Sequence, residues 1–318
     1  MNKTKLQGHI IILCVNIFFG LNLVISKAIF PDSISAEGLT LARALFACIA
    51  FWVTSLFIPR EKVSNKELGL LVFCGITGIA LNQGFFLKGL SLTSSVEASV
   101  LATCTPMFVI VLALIFLKEP ITWKKASGVV IGASGALLLV LSGTNENADD
   151  GSMSGSLLIL LSGISYAIYL VIVKPLTLKL SSVTIMKWMF LFSLPILIPL
   201  DWNYFVQAPA FIHPYHPVAL WGIAFILIFG TYCTFMMIPM ALKRIRPTTV
   251  SMYNYVQPMV VAVAAAISGT DHLSWKKGIS VILVFSGVYL VTISKSRAQV
   301  LEEEERRRKE MEQLSLNN

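Results

Sequence analysis

The sequence predicts an all-α membrane protein of ten transmembrane helices in two inverted five-helix repeats. Three observations lead there: a composition too apolar for a water-facing surface, ten apolar runs of membrane-crossing length, and an internal duplication. Of the 318 residues, 56% are hydrophobic and 13% charged, and mean hydropathy is +0.76. A soluble domain carries about 25% charged residues. So few charges cannot build a surface for water, so lipid is the expected solvent. The net charge of +8 comes with no basic stripe interleaved with aromatics, so no nucleic-acid partner is expected. Lys and Arg in cytoplasmic loops account for it instead. Cys14, Cys48, Cys74, Cys104 and Cys233 all lie inside apolar runs, without CxxC or Cys/His spacing. They read as small packing residues rather than disulfide partners or metal ligands. No cofactor is expected.

A span needs about 20 mostly apolar residues. Ten segments qualify: 8–27, 36–58, 68–88, 95–117, 125–142, 155–174, 183–200, 218–242, 248–268 and 275–294. Lys3 and Lys5 precede the first, which is too long for a signal-peptide core and is read as a retained span. Polar or Pro-containing breaks separate the runs, such as Pro59-Arg60-Glu61-Lys62 and Lys118-Glu119-Pro120. The seventh span is the weakest, with Pro195 and Pro199 near its end. With the N-terminus inside, the cytoplasmic segments collect Lys3, Lys5, Arg60, Lys62, Lys66, Lys118, Lys124, Lys125, Lys179, Lys243, Arg244, Arg246, Lys295 and Arg297. The outside loops 28–35, 143–153 and 201–217 contain neither Lys nor Arg. Lys88, Lys276 and Lys277 run against this pattern, but the balance puts both termini in the cytoplasm of a plasma (inner) membrane protein. Residues 296–318, with Glu302–Glu305 followed by Arg306–Arg308, read as a solvated cytoplasmic tail.

The duplication is the most informative feature. A shift of 152 carries residues 99–140 onto 251–292. Pro106-Met107 then meets Pro258-Met259, Thr122-Trp123-Lys124-Lys125 meets Ser274-Trp275-Lys276-Lys277, and Ser134-Gly135 meets Ser286-Gly287. A shift of 147 matches Leu23-Val24-Ile25 and Lys27 with Leu170-Val171-Ile172 and Lys174. Arg43 is expected to correspond to Lys187. The repeats are placed at 1–147 and 148–295. Five spans is an odd number, so the second repeat must enter the membrane from the opposite side. Such inverted repeats are a common build of secondary transporters. They also explain why Lys276-Lys277, the copy of an inside motif, falls outside.

The ordered set Phe19-Gly20-Leu21-Asn22-Leu23-Val24-Ile25-Ser26-Lys27, Arg43, Pro106, Glu119, Gly128 and Gly135 resembles the EamA-type transporters of the drug/metabolite transporter superfamily. The second copy keeps Pro258, Trp275 and Gly287, with Asp271 in place of Glu119. The resemblance covers residues 8–294. It implies a central cavity lined by helices 1–4 and 6–9, peripheral helices 5 and 10, and alternating access. It also implies a carrier that exports small polar metabolites such as amino acids. The partners expected are a small-molecule substrate and the lipid bilayer, in a monomer or homodimer.

A dehydrated polar solute needs hydrogen-bonding groups deep in the bundle. Asn22, Arg43, Asn82, Gln83, Thr103, Tyr166, Tyr169, Tyr253, Asn254 and Gln257 are the substrate-binding candidates. For each of them, interhelical hydrogen bonding is the alternative reading. Pro106 and Pro258 occupy matching places and are candidate hinges or inherited kinks. Arg43 would either anchor a substrate carboxylate or snorkel; Lys27 is expected to snorkel to the headgroups. Glu97 reads as a solvated glutamate at a helix start, and a proton relay is the alternative. His213 and His216 flank Pro214 in an outside loop and suggest no metal site. The other functions considered are a membrane-embedded enzyme and a non-transporting membrane scaffold. HExxH, GxSxG and intramembrane acid pairs are missing from the sequence, so no enzyme is expected. The P-loop and dinucleotide glycine patterns are missing too.

Overall fold

A computed structural model describes residues 3–117, 123–142, 153–212, 217–268 and 275–292. Every regular element among them is helical. The predictions for Glu119, His213, His216, Asp271 and the tail lie outside the described residues. Seven helices among the described residues have the length and apolar character to cross a membrane: Thr4–Ile29, Ala36–Phe57, Asn65–Ser91, Ser95–Leu112, Met153–Thr177, Ser182–Val206 and Val218–Arg244. Helices also occupy the other predicted positions, as α7 (Trp123–Ser142), α14 (Val256–Ser268) and α15 (Trp275–Thr292).

Serines begin several of these helices. Ser35, Ser64, Ser94 and Ser181 each accept a hydrogen bond from a backbone N–H of the first turn, relieving donors that helix geometry leaves unpaired. They start α2 (Ala36–Ser55), α3 (Asn65–Gly75), α5 (Ser95–Ala102) and α9 (Ser182–Val206) in turn. The prolines of the seventh span do not end it. α9 runs through Pro195 and Pro199 to Val206, and Asp201, expected in a loop, is a buried residue of that helix.

Two spans are interrupted at matching places. In the third span, α3 passes through a π-helical turn at Ile76–Leu81 into α4 (Asn82–Ser91). In the eighth, α11 (Pro217–Leu227) passes through a π-helical turn at Ile228–Cys233 into α12 (Thr234–Arg244). Ile76 and Ile228 are 152 positions apart, the same shift as the sequence repeat, and Gly78 falls on Gly230. The predicted fourth and ninth spans are broken as well. α5 stops at Ala102 and α6 (Thr105–Leu117) resumes after two residues. α13 (Pro247–Met252) is joined to α14 by a 3-10 turn at Tyr253–Tyr255. Pro106 and Pro258 each lie in the first turn after the break, where a missing N–H removes no helical bond.

Lys27 and Lys174 also do matching work. Lys27, at the end of α1 (Lys3–Ile29), donates to the carbonyls of Leu90 and Ser91 at 3.2 Å each. Lys174, near the end of α8 (Met153–Thr177), donates to Leu242 and Ile245. Each ammonium therefore caps the C-terminus of a helix with unpaired carbonyls, a favourable place for a cation. Lys27, expected to snorkel, instead holds the end of α4. Arg43 and Lys187 are not equivalent. Lys187 stands 5.1 Å over the Trp52 ring and 5.9 Å from that of Trp188.

The core forms two apolar clusters. One contains Ile12, Val15, Phe51, Leu71, Ala167, Phe190 and Leu242. The other contains Leu23, Leu39, Leu87, Leu101, Ile159 and Ile226. Along α1, α2 and α8 the two clusters occupy opposite ends, with polar residues between them. α7 and α15 pack closely on each other through Gly128, Gly132 and Gly287, where a Cβ on Gly287 would run into the Gly132 backbone. Large apolar side chains remain exposed outside, including Ile49, Phe57, Val130 and Ile282. That surface suits lipid. Trp52, Trp123, Trp202, Tyr204 and Trp221 are exposed at helix ends, where amphipathic rings favour the interface.

Candidate functional site

Between the two clusters lies a cavity of about 80 Å³. Its lining comes from six of the seven membrane-length helices and from the start of α14 with the 3-10 turn before it: Phe19, Asn22 and Leu23; Arg43; Asn82, Gln83 and Phe86; Ala102 and Thr105; Ser162, Gly163 and Tyr166; Phe235; and Asn254 and Gln257. Among the described residues α9, the predicted seventh span, contributes none to the lining, unlike the eight-helix lining implied by the family resemblance. The structure thus brings together Asn22, Arg43, Asn82, Gln83, Tyr166, Asn254 and Gln257 from the sequence candidates. Thr103, Tyr169 and Tyr253 are not in the lining.

Arg43 is the charged group of the lining and is 3% exposed. Its Nε donates to Thr231 Oγ1 at 2.8 Å and its Nη2 to the Gly230 carbonyl at 3.0 Å. Both acceptors belong to the second π-helical turn. A π turn displaces carbonyls from their usual partners, so it can offer one to a side chain. Thr231 and Thr234 return hydroxyl bonds to the Ile226, Gly230 and Thr231 carbonyls. The missing side chain at Gly230 leaves room for Asn22, because a Cβ would stand 2.7 Å from Asn22 Oδ1 and the amide would have to shift. In the first repeat, a Cβ at Gly78 would stand 2.6 Å from Cγ of Tyr169. Tyr169 lies 147 positions after Asn22, so the first and sixth spans meet the two π-turn glycines in the same way.

The polar candidates divide into bonded and unbonded groups. Asn82 Nδ2 donates to the Ser162 carbonyl at 3.0 Å. Gln257 Nε2 donates to Asn16 Oδ1 at 2.8 Å and lies 3.5 Å from Asn254 Oδ1, while Asn16 donates to the Ile12 carbonyl. Thr103 donates back to Val100. The Tyr253 hydroxyl pairs with His9 Nδ1 at 2.9 Å. In contrast, Asn22 Oδ1, both side-chain polar atoms of Gln83 and the Tyr169 hydroxyl are buried without a partner among the described residues. Such groups are costly unless something satisfies them.

Glu97 is not a solvated helix-start acid. It is 2% exposed and accepts a 2.5 Å hydrogen bond from Ser156 Oγ on α8. It lies outside the cavity lining. Among the described residues no group of three metal-ligating side chains occurs. Sequence reasoning missed Thr231, Gly230, Phe19, Phe86 and Phe235 at this site. Extending the 152-residue shift back to Gly78 and Gly230 was the available signal for the glycine and the threonine beside it. The phenylalanines had none, being indistinguishable from core apolars.

The sequence profile of the EamA-like transporter family matches residues 6–141 and again 153–293. An uncharacterized transporter of Archaeoglobus fulgidus is 25% identical over 268 residues, spanning 84% of this chain and 89% of that one. A probable terminal-alkyne amino-acid exporter of Streptantibioticus cattleyicolor is 28% identical over 112 residues, 35% of this chain and 38% of its own. A solved crystal structure shares the fold, with a TM-score of 0.62 at 15% identity over 91% of this chain and 97% of that one. The two profile matches cover almost the whole chain, and the two relatives above are named as a transporter and an exporter. The chain belongs to the EamA-like transporter family and is an integral membrane protein with a transporter role.

Proposed function

We propose that this protein is a secondary carrier that exports small polar metabolites, such as amino acids, by alternating access. The carrying observation is the cavity between two apolar clusters, lined from both repeats by amide groups and phenylalanines and walled by a buried arginine. In this reading the chain makes ten spans as inverted repeats, 1–147 and 148–295, with both termini and the tail 296–318 on the cytoplasmic side of the plasma membrane. The matched π turns, helix breaks and lysine caps support that duplication. Asn22, Arg43, Asn82, Gln83, Tyr166, Asn254 and Gln257 contact solute. Thr103, Tyr169 and Tyr253 hold their helices around it, and Pro106 and Pro258 mark the hinges. The partly matching amino-acid exporter supports the substrate class.

A flux screen with the purified protein in liposomes tests this. Radiolabelled amino acids, nucleosides, sugars and organic acids are offered singly, and protein-dependent flux of at least one polar solute is expected. Flux indistinguishable from empty liposomes across the panel would remove the carrier reading and favour a scaffold.

A further inference from the structure

The cavity wall carries a positive charge that the protein does not neutralise. Among the described residues, no carboxylate lies within ion-pairing distance of Arg43. Its two hydrogen bonds go to a threonine hydroxyl and a backbone carbonyl, both uncharged, and Nη1 donates to none of the described residues. A guanidinium stays charged in proteins and cannot shed its proton to ease burial. An unpaired charge deep in a bundle is expensive, so its counter-charge is the expected missing element. Other groups of the same lining have no partner among the described residues: Asn22 Oδ1, and both the amide nitrogen and the amide oxygen of Gln83. Phe86 and Phe235 supply apolar walls to the same cavity.

We infer that the solute enters this cavity as a carboxylate, held by Arg43, with its neighbouring polar group taken by Asn22 and Gln83. Arg43 is the one cation among the described lining residues, so it matches one negative charge, and its planar fork matches a carboxylate edge. A phosphate dianion would leave a net negative charge in the cavity, since no second cation lines it among the described residues. The small cavity volume and the phenylalanine walls favour a short carboxylate with an apolar body. This rests on the reading of the cavity as the solute site.

Binding and flux are therefore measured separately, on the full-length protein in lipid nanodiscs and in liposomes. The probes are L-amino acids, their carboxamides, the corresponding decarboxylated amines, and chloride and phosphate alone. In calorimetric or thermal-shift titrations of the wild type, the carboxylates should bind about 10- to 100-fold more tightly than the matched amides or amines. Arg43→Gln should abolish that preference, and Arg43→Lys should keep part of it. The wild-type comparison needs no variant, so misfolding of Arg43→Gln cannot shield the inference. Equal binding of amides and carboxylates overturns it, as does no binding of any carboxylate. An equal response to chloride or phosphate alone assigns an inorganic anion and overturns it too. Carboxylate-selective binding without flux would leave this inference standing and remove the carrier reading. Flux that ignores the carboxylate would do the reverse.

Discussion

Gly78→Ala is a sharp test of how the two repeats meet. A methyl at Gly78 would stand 2.6 Å from Cγ, 2.8 Å from Cδ2 and 3.0 Å from Cβ of Tyr169. Ordinary contact begins near 3.4 Å, so the shortest approach is 0.8 Å too close (3.4 minus 2.6). Tyr169 has no room to retreat. It is fully buried, and its ring lies 5.6 Å from that of Tyr166. The colliding atoms include Cβ and the base of the ring, which cannot swing aside as a chain end does. Overpacking of this kind costs roughly 1–3 kcal/mol, and we expect about 2 kcal/mol at this site. Gly69→Ala and Gly84→Ala serve as controls, since a Cβ there meets nothing within 4 Å. Each control should gain a few tenths to about 1 kcal/mol from helix propensity. The assay is equilibrium unfolding in mixed micelles. In a Tyr169→Leu background the Gly78→Ala penalty should fall by at least about half. Gly78→Ala as stable as the two controls, with no coupling to Tyr169, would refute the packing argument.

Two further predictions follow from the helix caps and the loop charges. Lys27→Met keeps the apolar stem but removes the two bonds to Leu90 and Ser91, and should cost about 1–2 kcal/mol after allowing for its partial exposure. Lys174→Met should cost a similar amount, and the two losses should add in the double variant, as measured by the same unfolding titration. Glu61, in the connection between the second and third spans, accepts hydrogen bonds from the Ser181 backbone N–H at 2.9 Å and from its hydroxyl at 2.9 Å. Partial burial alone would raise its carboxyl. Bonds from Thr184 and Ser181 and the charge of Lys187 outweigh that and hold it below the ordinary 4.5. A depressed carboxyl adds stability above its unfolded value and loses it as pH falls through the folded value. Melting curves should therefore show wild type above Glu61→Gln at pH 7, with the gap closing below about pH 4.5; a gap that is constant with pH would contradict this.

The spans and much of the cavity were legible because their signals are local. Length and hydropathy mark a membrane helix without knowledge of its neighbours. Asn22, Gln83, Asn254 and Gln257 stood out because amides are costly in such helices, and they converge on one cavity. What failed depended on neighbours far along the chain. Lys27 looks like a snorkelling lysine until Leu90 and Ser91 are placed beside it. Glu97 looks solvated until α8 brings Ser156 to it. Tyr253 looked like part of a cavity cluster, but its hydroxyl turns to His9, 244 positions away. Arg43 and Lys187 are both basic and early in their helices, yet one reaches a π turn and the other lies over tryptophan. The π turns have no composition signal of their own. Only the Gly78–Gly230 match at the repeat shift marks them in the sequence.

The central claim is that one cavity is offered to the two sides of the membrane in turn. Solute counterflow measures this directly. Liposomes containing the protein are loaded with a high concentration of an unlabelled carboxylate solute, diluted, and given a trace of the same solute labelled outside. A carrier of this kind should accumulate label transiently above equilibrium and then release it, and Arg43→Gln should abolish the overshoot. Label that only rises to equilibrium, or that enters no faster than in empty liposomes, would contradict the account.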